Sequence, residues 1–112
     1  MATYANLFVD QGSDFQTSVS LENVKGDFLD TELLEFNGQV RRTPGADAGF
    51  DFEILKSNTE NGVITLRLSR QVTESMRAGR YVYDVVATDS GFDNRFKVLQ
   101  GILEVIPQVT RV

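Results

Sequence analysis

Residues 76–89 read MRAGRYVYDVVATD. From Tyr81 onward the side chains alternate. Tyr81, Tyr83, Val85 and Ala87 share one phase, and Val82, Asp84 and Val86 share the other. A period of two marks a strand, because successive Cβ atoms leave an extended backbone on opposite faces. The residues just before break that period. In SRQVTESMRAG, 69–79, Val72 and Met76 stand four apart, as on one face of a helix. Ser69 is a residue type that caps helix N-termini, and Gly79 a type that follows C-termini. This stretch predicts one to two helical turns, with Val72 and Met76 pointing down as a plug, feeding a half-buried strand.

Working outward, the same alternation recurs along most of the chain. Phe15, Thr17, Val19 and Leu21 share a face, as do Phe36, Gly38 and Val40. Phe50, Phe52 and Ile54 alternate with Asp51, Glu53 and Leu55, and Ile64, Leu66 and Leu68 with Val63, Thr65 and Arg67. Turn-forming clusters separate these runs: DQGSD, NVKGD, TPGADAG, SNTENG and DSGFDN. Asn61-Gly62 is the strongest hairpin signal. Seven strands follow, at about 4–9, 15–21, 34–43, 48–56, 63–68, 80–88 and 95–106. In the last, Gly101 marks a bulge or a close backbone approach, and Val98-Leu99 leaves the face open. Short antiparallel strands at this spacing, without helical blocks between them, predict an all-β sandwich in one domain, 1–112.

An immunoglobulin-like sandwich is the specific form expected. Its sixth strand carries a corner tyrosine two residues before the second disulfide cysteine. Here Tyr81 takes the tyrosine's place and Tyr83 the cysteine's, in a chain with no cysteine. Met76, Gly79, Tyr81 and Tyr83 then form a structural corner. Gly79 ends the helical turn, Met76 caps the core, and the Tyr81 hydroxyl turns back onto the turn. Tyr83 fills the centre between the sheets with an aromatic instead of a bridge.

Composition narrows the chemistry. The 112 residues suit one domain, with somewhat over about 60% of the extended-chain surface buried on folding. Without cysteine or histidine there is no thiol nucleophile, no Cys/His zinc site and no Ser-His-Asp triad. A net charge of −5 argues against nucleic acid as a partner. No run of 18 apolar residues predicts a membrane span, and MATYANLFVDQGS lacks the basic start of a signal peptide.

Candidate sites are few. Asp89, Asp93 and Asn94, like Asp10 and Asp14, do not match a calcium loop and read as solvated turns. Glu35, Asp51, Glu53, Asp84 and Glu104 alternate with apolar neighbours, as the wet face of a sheet does. No catalytic, metal or cofactor residue is assigned. Arg41 and Arg42 are adjacent and point to opposite faces. Phe92 stands at a loop tip, as a ligand contact or as a lid on the core. Immunoglobulin-like topology gathers Arg41, Arg42, Arg70, Arg77 and Arg80 at one end, against Asp10, Asp14, Asp47 and Glu74. The other end collects Glu22, Asp27, Asp30, Glu32, Glu60, Asp89 and Asp93, against Lys25 and Lys56. Opposite poles suit oriented docking, so the five arginines and Phe92 are the candidate interface.

Four stretches carry a resemblance: YANLFVDQGSDFQTSVSLE, FNGQVRRT, ITLRLSRQVTESMRAGRYVYDV and VLQGILEVIPQVTR. With these the chain resembles small immunoglobulin-like structural proteins of tailed bacteriophages, including cyanophages. It is similar, more distantly, to the amino-terminal domains of phage baseplate upper proteins. The shared features are a GQxR strand, a GRYxYDV strand and a glycine-containing last strand. LDTELLEFNG departs from the family's polar turn. The resemblance implies a virion component of tail, neck, baseplate or capsid decoration, made in the host cytoplasm. Its partners would be other virion proteins or further copies of itself, with no enzymatic activity. The second reading is a ligand-binding module for carbohydrate or a host surface, and the third a carboxylate enzyme. Most aromatics sit in core phase and there is no tryptophan, which favours the structural reading. A structural protein needs a sheet edge to offer, and NLFVD in the first strand and ILEVI in the last are the candidates.

Overall fold

In the computed structural model each alternating run is extended, and two of the runs are divided. The structure describes residues 3–21, 31, 34–58, 61–89, 91 and 94–110. The strands are β1 (Thr3–Tyr4), β2 (Leu7–Asp10), β3 (Phe15–Ser20), β4 (Leu34–Arg41), β5 (Phe50–Asp51), β6 (Glu53–Asn58), β7 (Val63–Leu68), β8 (Gly79–Asp89) and β9 (Asn94–Ile106). One helix, α1 (Arg70–Ser75), joins β7 to β8.

Two sheets form an immunoglobulin-like sandwich. The larger runs β1-β9-β8-β4-β5, with β2 also on β9, and the smaller runs β3-β7-β6. Most pairs are antiparallel. The first strand is the departure, because β1 and β2 lie parallel to β9. This also corrects the edge assignment. Strand β9 has β8 on one side and β1–β2 on the other, so ILEVI is interior to the sheet and only the first strand forms an edge there.

The core takes the side chains of the predicted inward phase. Val9, Val40, Ile64, Leu66, Val85 and Leu103 are fully buried between the sheets. Thr65 is an exception in the opposite phase. It is buried on the outer face of the small sheet, where its hydroxyl meets those of Ser18 and Ser57.

Two irregularities in β9 have separate causes. The bulge lies at Val98, between the pairs Val86↔Lys97 and Val85↔Leu99, and it lets Val98 and Leu99 both face inward. Gly101 serves a close approach instead. A Cβ there would lie 1.9 Å from the carbonyl oxygen of Ala5. Ala5 and Asn6 interrupt the first strand without changing its register, since Tyr4 faces Gln100 and Leu7 faces Leu103. The Ala5 N–H donates to Gln100 O at 3.0 Å. Its carbonyl accepts from the Tyr83 hydroxyl at 2.5 Å, and the Ile102 N–H turns to Asn6 Oδ1 at 3.3 Å.

Candidate functional site

The corner around α1 positions one end of the molecule. Ser69 caps α1, its hydroxyl accepting from Val72 N at 3.4 Å. A second cap arrives from the β2–β3 turn, where Asp14 Oδ1 accepts from Arg70 N at 2.8 Å. A carboxylate suits a helix N-terminus. Thr73, fully buried and given no role by the sequence reading, ties the helix to that turn: its hydroxyl accepts from Gly12 N at 3.1 Å and donates to Ser13 O at 2.8 Å. Gln11 Nε2 adds a bond to Met76 O at 2.8 Å. Met76 is buried and Val72 half-buried against the core.

Gly79 has a different job from the one expected. The helix stops at Ser75 with Met76 as its C-cap, so Gly79 lies beyond the helix end and opens β8. Its φ of 130°, a conformation that side chains rarely adopt, accounts for a glycine here. The Tyr81 hydroxyl donates to Arg77 O at 2.8 Å. Its ring meets Phe50 edge-on at 6.4 Å and lies under the Arg42 guanidinium at 4.8 Å. Tyr83 is buried, with its ring edge-on to Phe52 at 5.8 Å. Burial pushes the Tyr83 hydroxyl pKa up to about 12.

The five arginines fall at this end, though not as one free patch. Arg41 is tied to its own loop, donating to Ala46 O at 2.7 Å, Asp47 O at 3.2 Å and Gln39 Oε1 at 2.7 Å. Arg42 covers Tyr81 and donates to Arg80 O at 3.2 Å. Arg70, Arg77 and Arg80 are exposed. Phe92 lies outside the described residues, as do Glu22, Lys25, Asp27, Asp30, Glu32, Glu60 and Asp93 of the other pole. Among the described residues, no three of His, Cys, Asp and Glu group as metal ligands would.

Two surface features stand apart from that end. The first is the edge formed by β1 and β2. Tyr4 is 73% and Phe8 66% exposed there, and Ile106, beside Asp10 in the pairing, is 37% exposed. Asn6 and Asp10 share phase with Tyr4 and Phe8 in TYANLFVD, so two polar residues mark this phase as the outward one. That signal was available in the sequence. The second feature is a trough of about 470 Å³ on the outer face of the large sheet. Its lining includes Tyr4, Gln39, Arg41, Pro44, Val82, Asp84, Lys97 and Gln100. Cross-strand register aligns four of these in a row, Tyr4–Gln100–Asp84–Gln39.

No family model and no curated protein matches the chain. Among solved structures it is similar to Listeria monocytogenes InlP, at 12% identity and a TM-score of 0.49, covering 94% of this chain and 28% of that one. It is similar to the Lin-41 filamin domain at 19% identity and a TM-score of 0.45, covering 81% of each. A family 123 glycoside hydrolase from Clostridium perfringens matches at 13% identity and a TM-score of 0.42, over 95% of this chain and 23% of that one. The chain thus spans under a third of the length of two of these three. At such identities they carry no function across, and the virion reading draws nothing from them.

Proposed function

We propose that this domain is a non-enzymatic assembly module that works through protein–protein contacts. Following the resemblance to tailed-phage proteins, we place it among virion components that bind other virion proteins. The observation that carries the assembly reading is the β1–β2 edge. Natural edges are blunted by lysine, proline or inward-pointing charge. Thr3–Asp10 contains no lysine, arginine or proline, and it exposes two aromatic rings. Exposed apolar surface beside unpaired backbone groups favours a strand or flat face from a neighbour.

Backbone parity sharpens the test. The N–H groups of Ala5 and Gln11 donate to β9, so those of Leu7 and Val9 face β9 too. The N–H groups of Asn6, Phe8 and Asp10 point away from the sheet. Hydrogen exchange on the free chain and on the assembled particle therefore has a signature. Asn6, Phe8 and Asp10 gain protection on assembly, while Leu7 and Val9 are protected in both forms. Equal exchange of the outward set in both forms would remove the proposal. Phe8→Lys complements this by placing a charge on the edge. It is expected to abolish incorporation while changing folding stability by less than about 0.5 kcal/mol, as surface substitutions do.

A further inference from the structure

The trough on the outer face differs from the edge in chemistry. Its rim has one open aromatic ring, Tyr4. Its far wall is the β4–β5 loop, which Arg41 fastens through Ala46 O and Asp47 O, so Pro44 stands over a supported backbone. Between them lie Gln39, Asp84 and Gln100, oriented by bonds along the sheet. Gln39 Nε2 donates to Asp51 Oδ1 at 2.8 Å, Lys97 Nζ sits 3.5 Å from Asp84 Oδ2, and Lys97 reaches Gln100 Oε1 at 3.4 Å.

The charged residues of the lining are Arg41, Lys97 and Asp84, and each cation already has partners on the protein: Lys97 sits against Asp84 and Gln100, and Arg41 donates to Ala46 O, Asp47 O and Gln39 Oε1. An anionic ligand would have to compete with those partners. What remains to offer is a carboxylate oxygen of Asp84, the Gln100 amide N–H groups, the Tyr4 hydroxyl and the Tyr4 ring face. Donors and acceptors side by side, next to a ring face, match a neutral polyhydroxylated ligand with one apolar side. The trough volume falls in the range of small-ligand sites, about 300–1,000 Å³.

We propose that this trough binds a neutral oligosaccharide. The Tyr4 ring covers the apolar face of one sugar, Asp84 accepts from its hydroxyls, and Gln100 donates. The trough shares Tyr4 with the β1–β2 edge, but Phe8 does not line it, so Phe8→Lys separates this proposal from the assembly reading.

The test is an amide and aromatic NMR titration of the whole chain with cellohexaose, maltohexaose, xylohexaose and chitohexaose, and with a heparin hexasaccharide as the anionic control. Binding of at least one neutral hexasaccharide is expected, shifting the amides around Asp84, Lys97 and Gln100 together with the Tyr4 ring signals. Tyr4→Ala and Asp84→Asn each weaken it by about tenfold, and Phe8→Lys leaves it unchanged. Tyr4 and Asp84 lie on the outer face, so a retained fold, checked by the thermal midpoint, keeps these losses interpretable. The proposal fails if no neutral hexasaccharide shifts these signals at about 10 mM, a concentration well above a weak Kd. It fails equally if only the heparin fragment binds, if the shifts map to the β2 edge, or if both trough variants bind as the parent does.

Discussion

The two flanks of the sandwich are finished in opposite ways. On one, a single run of chain crosses between the sheets: β5 pairs with β4 in the large sheet, and β6 pairs with β7 in the small one. The crossing residue is Phe52, buried, with its N–H on Gly38 O at 3.0 Å. Covalent continuity closes that flank. On the other, the first strand ends the large sheet, with no strand among the described residues on its outer side and with Tyr4 and Phe8 in solvent. Tyr83 serves both, with its ring against Phe52 and its hydroxyl on Ala5. The residue in the cysteine's place thus gathers the two flanks without a covalent bridge. The contrast teaches that the open flank is not a weakly held one. Its strand is fixed from inside and left bare outside, as the proposed docking requires.

Phe52→Ala should do the most damage, because it empties the closed flank at the crossing. Truncating a buried phenylalanine costs about 3–5 kcal/mol, read as a shift of the urea midpoint at constant slope. A loss below about 1 kcal/mol, the scale of an exposed site, would mean that the crossing is not what closes this side. Gly101→Ala comes next and attacks the open flank. The new methyl would collide with the Ala5 carbonyl, which is backbone and can yield only by moving the first strand. The expected loss is about 2–3 kcal/mol, with faster exchange confined to the amides of residues 5–11. A parent-like midpoint would show that the strand docks without that approach.

How much of this is legible in the sequence follows from the range of each interaction. The inward phases of β3, β4, β7 and β8 are local and can be read from alternation. So can the helical turn, from Ser69 and the spacing of Val72 and Met76. Gly79 is misread because two local rules compete there, a helix C-terminus and a positive-φ strand start, and composition favours both. Gly101 cannot be resolved from within β9, since its partner, Ala5, lies far away at the other end of the chain. The parallel docking of the first strand is non-local in the same way, which is why the last strand also reads as an edge. The trough depends on register across four strands, and no single segment shows that Gln39, Asp84, Gln100 and Tyr4 share a row. Tyr4 and Phe8 are different. Their outward phase is written next to them in Asn6 and Asp10.

Tyr83→Phe probes the link between the flanks and carries a pH signature. Removing the hydroxyl leaves the Ala5 carbonyl without its donor and should cost about 1–2 kcal/mol near neutral pH. The folded pKa of about 12 lies above the ordinary tyrosine value of 10.0. Between these values the unfolded chain loses the proton and the folded chain keeps it, so raising the pH favours unfolding. The stabilisation is complete below pH 10 and is lost as the pH rises through about 12. The phenylalanine variant lacks this group. The gap between parent and variant should therefore narrow from pH 10 to pH 12, measured by urea denaturation at several points in the window. A constant gap would mean that the hydroxyl is no harder to ionise in the fold than in the unfolded chain.

Tyr81→Phe should be the mildest of the four and makes the comparison quantitative. The two tyrosines are two residues apart on one strand, both buried, and each donates to a backbone carbonyl. They differ in what the bond joins. Tyr81 reaches back four residues to Arg77, an exposed residue in the turn after α1. Tyr83 reaches across 78 residues to the strand that forms the open edge. The phenylalanine ring keeps the contacts with Phe50 and Arg42, so only the hydrogen bond is removed. About 1 kcal/mol is expected, with the change in hydrogen exchange limited to the turn after α1. If Tyr81→Phe instead costs more than Tyr83→Phe, or loosens the amides of residues 5–11, then the corner and not the Ala5 bond is what holds the first strand in place.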